Sequence, residues 1–165
     1  MRILIHMRIL MILVPDSQDR PRLKIGQVIE PYYLFRDRGT EVVFASPAGG
    51  APVSTAAGQE RATAVRRLRD DHLAREALAD TLSLDQVSAA DFQAAFCIGP
   101  SEQLGAGGDH PTSLVIAQLL DAGKPVAMLS DSGGVRLLIT GDAPGPAARA
   151  LLGALSNLAS HDARR

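Results

Sequence analysis

Short apolar runs alternate with longer segments of helical periodicity along most of this 165-residue chain. The predicted strands, each bounded by turn residues, are Arg8–Val14, Glu41–Ser46, Ala94–Ile98, Val126–Leu129 and Arg136–Thr140. The predicted helices are Lys24–Gly39, Thr63–Asp71, Leu73–Thr81, His110–Ala122 and Pro146–Leu158. Because a strand–helix–strand connection makes its two strands parallel, this alternation predicts a mostly parallel sheet covered by helices on both faces.

The expected fold is a flavodoxin-like α/β sandwich of three layers, with strand order 2-1-3-4-5. Pro31 is expected to kink or restart the first helix, and Gly39 to end it. Too few residues separate the last strand from the fourth for a parallel crossover, which needs about a dozen. We therefore expect the last strand to pair antiparallel with the fourth through a turn at Gly133-Gly134, or to lie elsewhere in the sheet or in another subunit. The alternative is a short helix over Gly133–Thr140, with the fifth strand absent.

The length suits one domain over residues 1–165. Met1–Leu4 and Met7–Leu10 both read Met-Arg-Ile-Leu, so residues 1–6 are interpreted as an N-terminal extension, and either methionine as the start. The net charge of −1 gives no field that would attract nucleic acid or an anionic membrane. The apolar run Ile9–Val14 is too short to span a bilayer. We expect a cytoplasmic protein with neither nucleic-acid nor membrane partners.

The single cysteine, Cys97, and four scattered histidines show no metal-ligand spacing, so no metal is predicted. No glycine cluster completes a dinucleotide or phosphate motif, and no cofactor is predicted. Cys97 lies inside a predicted strand, where a buried, inert thiol is expected. Tyr32 and Tyr33 are interpreted as buried helix residues, and His110 as the flank of a helix start. Arginines between residues 61 and 75 alternate with acidic residues, which indicates a solvated face.

Two hydroxyls and a carboxylate follow the fourth strand, at Ser130, Asp131 and Ser132, and two glycines come next. In an α/β sheet, ligands and catalytic groups lie at the carboxyl ends of the central strands. Many hydrolases place a nucleophile there on a tight turn. Ser130 is therefore either a nucleophile or a strand-end serine that bonds local amides.

Several stretches together carry a family resemblance. They are Gln27–Glu41, Val42–Gly50, Leu82–Phe92, Ala122–Ala127 and Leu138–Gly141. In this order they resemble the ThiJ/PfpI superfamily, in its branch of heat-shock chaperones and glyoxalase-like or deglycase-like enzymes, over residues 7–158. The resemblance implies a flavodoxin-like sandwich, commonly a homodimer. It also implies a catalytic cysteine after the fourth strand, a histidine beside it, a glutamate near the first helix and a Gly-Gly turn after the third strand.

Each of these active positions differs in the present sequence. The cysteine corresponds to Ser130, the histidine to Asp131, the glutamate to Gln27, and the second glycine to Pro100, after Gly99. A serine needs an adjacent base, aspartate is a weaker base than histidine, glutamine exchanges no proton in the useful range, and proline has no N–H. The catalytic positions Ser130, Asp131 and Gln27 are therefore expected to be inactive. The expected pocket residues are Gly99, Pro100, Ser101 and Ser132.

Three functions remain open at this point. The first is a ThiJ/PfpI-like protein with a degenerate catalytic site, acting as a binding or stress-related protein that forms a homodimer or higher homo-oligomer and takes a small-molecule ligand. The second is a hydrolase, amidase or glyoxalase-like enzyme that uses Ser130, with Gly99 and neighbouring amides holding the oxyanion. The third is a holdase chaperone without enzymatic activity.

Overall fold

The computed structural model describes residues 7–15, 23–54, 63–100, 110–130 and 135–138, together with Leu151 and Gly153. The strands are β1 (Arg8–Leu13), β2 (Leu23–Lys24), β3 (Glu41–Ser46), β4 (Val53–Ser54), β5 (Leu82–Ser83), β6 (Ala94–Gly99), β7 (Val126–Ser130) and β8 (Val135–Leu138). The helices are α1 (Ile25–Arg36), α2 (Thr63–Asp70), α3 (His72–Ala79) and α4 (Pro111–Asp121).

The main sheet has the order β5-β3-β1-β6-β7-β8, and every pair except the last is parallel. The predicted flavodoxin-like α/β fold is confirmed, and the five predicted strands follow one another in the expected order. The sheet differs from the prediction by an additional edge strand, β5, beside β3. With only two residues, Leu82–Ser83, this strand is too short for its alternation to be read in the sequence.

Strand β1 is buried on both faces, as expected for the centre of a parallel sheet. Ile9, Met11 and Leu13 face one apolar layer, while Leu10 and Ile12 face the other. The first layer contains α1 and apolar residues of α2 and α3, and Leu151 is also buried in it. The second layer contains α4 and the short helical turns Leu84–Gln86 and Ala89–Asp91. The three-layer arrangement follows from these two cores.

The helix α1 continues through Pro31 as one element, so the expectation that proline would restart the helix is wrong. Proline removes a single N–H, and its fixed φ is compatible with a helix. The buried face of α1 explains why the helix tolerates this loss, because its apolar side packs on the sheet. That face consists of Ile25, Val28, Ile29, Pro31, Tyr32, Tyr33 and Phe35. The helix ends at Arg36 with Asp37 as its C-cap residue, so Gly39, at φ +79°, lies in the turn that follows and is not itself the predicted cap.

The other helices lie close to their predicted positions. Helices α2 and α3 are separate eight-residue elements, and Asp71 caps α3 by accepting from the Ala74 N–H. His110 precedes α4, and its Nδ1 accepts from the Thr112 N–H at 3.3 Å, which confirms its role at a helix start. The predicted last helix, 146–158, lies outside the described residues except for Leu151 and Gly153, which are both helical.

Strand β8 pairs antiparallel with β7, with Leu129 opposite Val135 and Val126 opposite Leu138. The prediction of an antiparallel last strand is therefore confirmed. The alternative, a short helix after the fourth strand, is wrong for residues 135–138. Only residues 131–134 separate the two strands, too few for a parallel crossover, so the chain reverses direction directly after Ser130.

Candidate functional site at the carboxyl ends of the central strands

The carboxyl ends of three strands meet at one edge of the sheet. The Val14 N–H, just after β1, donates to the Ile98 carbonyl of β6 at 2.8 Å. Gly99 of β6 lies opposite Ser130 of β7 in the parallel register. The predicted neighbourhood of Ser130 and Gly99 is thus present in the backbone, at the edge where α/β proteins place ligands.

Gly99 is required by the packing of this edge. A Cβ at residue 99 would lie 2.7 Å from both the Cβ and the backbone oxygen of Val14. Contacts this short force the backbone to shift, because neither neighbour is a flexible side-chain end. The absence of a side chain at Gly99 lets β6 pass close to the chain that leaves β1.

Pro100 follows Gly99 and is buried. Because proline has no N–H, this residue donates no hydrogen bond to a ligand at the edge. The other predicted pocket residues, Ser101 and Ser132, lie outside the described residues, and so does Asp131. For Ser130 the structure describes the backbone, which ends β7 beside Gly99.

Gln27 lies in the first turn of α1 and is half-buried. The helix α1 connects two parallel strands, β1 and β3, so it runs back across the sheet and begins at the carboxyl edge. Gln27 therefore shares this edge with Gly99 and Ser130. Pro31 stands four residues later and offers no N–H to the Gln27 carbonyl, which lacks the usual helical partner as a result.

A small second sheet borders the same edge, and the sequence did not predict it. Strands β2 and β4 pair in parallel, and the Leu23 N–H donates to the Pro52 carbonyl at 2.7 Å. These strands belong to the connections that follow β1 and β3. Lys24 of β2 is also the N-cap residue of α1, and its side chain makes no capping hydrogen bond. The pairing holds the start of α1, and with it Gln27, next to the carboxyl end of the sheet.

Cys97 lies in the middle of β6 and is fully buried. Burial raises the pKa of this thiol to about 12, so the reactive thiolate is strongly disfavoured. The predicted burial of the cysteine is confirmed. The thiol of the chain is thus packed into an apolar core, away from the end of β7.

A polar cluster near the C-terminal end of α1 was not predicted from the sequence. The Tyr33 hydroxyl donates to Asp71 at 3.1 Å, and the Arg67 guanidinium lies 3.9 Å from the centre of the Tyr33 ring. Arg67 also donates two hydrogen bonds to Asp37, at 2.8 and 2.9 Å. The prediction that Tyr32 and Tyr33 are buried is confirmed. Nothing in the sequence distinguishes Arg67 from the other arginines of its segment, such as Arg66 and Arg69.

The described ranges hold neither a cluster of metal ligands nor a helix that could span a membrane. Within those ranges, no three His, Cys, Asp or Glu side chains come close enough together to hold a metal ion. None of the described helices combines the length and apolarity that a membrane span requires.

Fold and strand-end geometry together define a flavodoxin-like α/β protein whose candidate site lies at the carboxyl edge of its sheet. No model of a known protein family matches the sequence, and no curated protein matches it significantly.

Solved structures share the fold. The Rapid Encystment Protein (REP24) of Francisella tularensis has a TM-score of 0.55 at 13% identity, over 74% of this chain and 58% of that chain. Glyoxalase III of Candida albicans has a TM-score of 0.53 at 13% identity, over 74% of this chain and 56% of that one. Drosophila melanogaster DJ-1beta gives 0.45 at 20% identity, over 92% and 61%.

The first two structures agree with the α/β fold that the sequence resemblance implies. At these identities the likeness establishes the fold. The match spans less than three fifths of the length of the first two proteins.

Proposed function

We propose that this chain is a ThiJ/PfpI-like binding protein that lacks the thiol chemistry of its superfamily and holds a small molecule at the carboxyl edge of its sheet. One observation carries the proposal most directly: β7 ends at Ser130, and β8 then returns antiparallel to it. A nucleophile elbow leads from a strand into a helix, whose first amides stabilise the oxyanion. Residues 135–138 form a strand instead, so they place no helix N-terminus behind Ser130.

The residues at this edge support the same proposal. A serine hydroxyl must be activated by a neighbouring base. Asp131 is a weak base at neutral pH, and Gln27 carries an amide that neither accepts nor releases a proton in that range. Pro100 lacks an amide hydrogen at the position that the superfamily resemblance assigns to a glycine. One missing oxyanion donor costs about 3–4 kcal/mol of transition-state stabilisation.

Cys97 is no substitute for the absent thiol. Its side chain is buried in the layer that α4 covers, among Leu10, Ile12 and Met128. A carbonyl substrate cannot reach a thiol packed in this way without opening the core. The raised pKa of Cys97, caused by burial, further lowers its nucleophilicity.

The proposal includes a homodimer. Within the described part of the chain, β8 pairs only on its β7 side, at the end of the sheet. An edge strand presents N–H and C=O groups that a second copy can pair with. Light scattering coupled to size exclusion should give twice the monomer mass of 17.4 kDa. A mass of one chain at all concentrations contradicts this part of the proposal.

Turnover assays test the missing chemistry. We expect no turnover of methylglyoxal or of activated esters by the wild-type chain. The triple variant Gln27→Glu, Ser130→Cys, Asp131→His restores the superfamily's side chains but neither the amide missing at Pro100 nor a helix after β7, so we expect it to stay inactive towards methylglyoxal as well. Wild-type turnover that disappears in Ser130→Ala contradicts the proposal and favours the serine-dependent enzyme.

Binding is tested separately, with a panel of small aldehydes, ketones and carboxylates. We expect at least one compound to raise the Tm of the wild-type chain, because a ligand that binds only the folded state stabilises it. Ser130→Leu fills the edge beside Gly99 and should remove that shift. A panel without any shift, or a shift that persists in Ser130→Leu, contradicts binding at this edge.

A further inference from the structure

Helices α2 and α3 form a hairpin that lies against α1 and β3. Each helix has eight residues, which is too short for a helix to be stable alone in water. Their stability must come from docking. The buried part of the docked apolar face is small: of the two helices, Val65 and Ala74 are buried, while Ala64, Leu68, Ala77 and Leu78 pack against the core with part of their surface exposed.

Polar contacts supplement this small face, and they converge on Tyr33. Arg67 of α2 lies over the Tyr33 ring and donates to both carboxylate oxygens of Asp37, which follows α1. Asp71, between α2 and α3, accepts from the Tyr33 hydroxyl with one oxygen and from the Ala74 N–H with the other. The hairpin is thus fastened to α1 at two points, and a single ring takes part in both.

We propose that the α2–α3 hairpin is a flap that opens separately from the core. Arg67 holds it closed against α1, through its ion pair with Asp37 and its stacking on the Tyr33 ring. Units with few buried apolar contacts open locally at a lower free energy than the core. Opening removes Arg67 and Asp71 from Tyr33, which is 5% exposed in the docked state. The flap therefore controls whether an aromatic surface of the protein is accessible.

The ion pair is accessible to solvent ions, because the Arg67 and Asp37 side chains are 47% and 57% exposed. Salt therefore weakens this latch, while the apolar core is not weakened in the same way. The Arg67 hydrogen bonds also hold the pKa of Asp37 below its ordinary range, so the carboxylate stays charged at neutral pH. Ionic strength is the natural variable for opening the flap.

Hydrogen exchange followed by mass spectrometry on the full chain tests the flap. In the wild type, amides of α2 and α3 should exchange faster than those of β1 and β6. Arg67→Gln should speed exchange in α2 and α3 about five- to ten-fold, as expected for an exposed ion pair that also stacks on a ring, and leave β1 and β6 unchanged. Arg66→Gln removes the same charge from an exposed neighbour, and it should change neither the exchange of α2 and α3 nor that of β1 and β6.

Tyrosine fluorescence provides a second readout, because the chain has two tyrosines, Tyr32 and Tyr33, and no tryptophan. Acrylamide should quench the Arg67→Gln variant more strongly than the wild type or Arg66→Gln, and added salt should increase quenching in the wild type. The proposal is overturned if α2 and α3 exchange at the rate of the central strands. Equal effects of Arg67→Gln and Arg66→Gln on exchange or quenching overturn it as well.

Discussion

Gly99 and Ser130 lie opposite each other in the parallel pairing of β6 and β7, at the last position of both strands. This pair places the serine at the edge where open α/β sheets bind ligands. The residue after Gly99 is a proline, and the chain after Ser130 reverses into an antiparallel strand. The backbone thus ends β7 with a serine beside a glycine, followed along the chain by a strand rather than a helix.

The first prediction concerns Gly99 itself. Gly99→Ala places a Cβ against Val14, and we expect it to lower the free energy of unfolding by about 1–3 kcal/mol through overpacking. Gly39→Ala serves as a comparison, because no atom lies within 4 Å of its new Cβ and the cost there comes from the left-handed backbone, about 1 kcal/mol. Urea unfolding measures both. Wild-type stability in Gly99→Ala would show that the edge is looser than described.

The second prediction concerns the buried thiol. Because Cys97 is fully buried and its pKa is raised to about 12, Ellman's reagent should react with the native chain only as fast as the chain unfolds. The same reagent should react completely in denaturant, which verifies that the thiol is free. Rapid labelling of the native chain would contradict the placement of Cys97 in the core.

The third prediction concerns pH and Asp71. The Ala74 N–H, and then the Tyr33 hydroxyl, hold the pKa of this carboxyl below its ordinary value. A depressed folded pKa means that the stabilisation is present above about pH 3.9 and is lost as the pH falls through the lower, folded value. Asp71→Ala should therefore cost about 0.5–2 kcal/mol at pH 7, as for a lost N-cap, and less in acid.

Asp70→Ala is the matched control for this pH experiment, because Asp70 is the exposed neighbour at the end of α2. Urea unfolding from pH 7 down to pH 3 measures both variants, and at pH 7 the control should cost less than Asp71→Ala, because the Asp70 side chain is exposed. A difference between Asp71→Ala and wild type that stays constant over this range would contradict the charge-dependent role of Asp71.

The order of the main sheet could be predicted because each of its long strands carries a strong local signal. The run Ile9–Val14 is apolar on both faces, and the long segments between the strands dictate crossover connections. The antiparallel pairing of β8 could be predicted from the length of the connection before it, because only residues 131–134 separate β8 from β7. The strands β2, β4 and β5 have two residues each. Their pairing depends on contacts between segments far apart in the sequence, which no local pattern encodes.

The candidate site was predictable only as a location. That Ser130 would end a strand beside Gly99 followed from the alternation of elements and is present in the backbone. The Tyr33–Arg67 cluster was not predictable, because Arg67 is one of several arginines on a charged segment. Only the packing of α2 across α1 selects it for stacking on the ring.

Whether Ser130 is an activated nucleophile is best measured with a fluorophosphonate probe, because such probes form a covalent adduct only with an activated serine. We would incubate the native chain with the probe and locate adducts by peptide mass spectrometry. The account predicts that Ser130 remains unmodified, as in a Ser130→Ala control that carries no hydroxyl at that position. An adduct on Ser130 in the native chain, absent after denaturation, would show a working nucleophile and contradict the account.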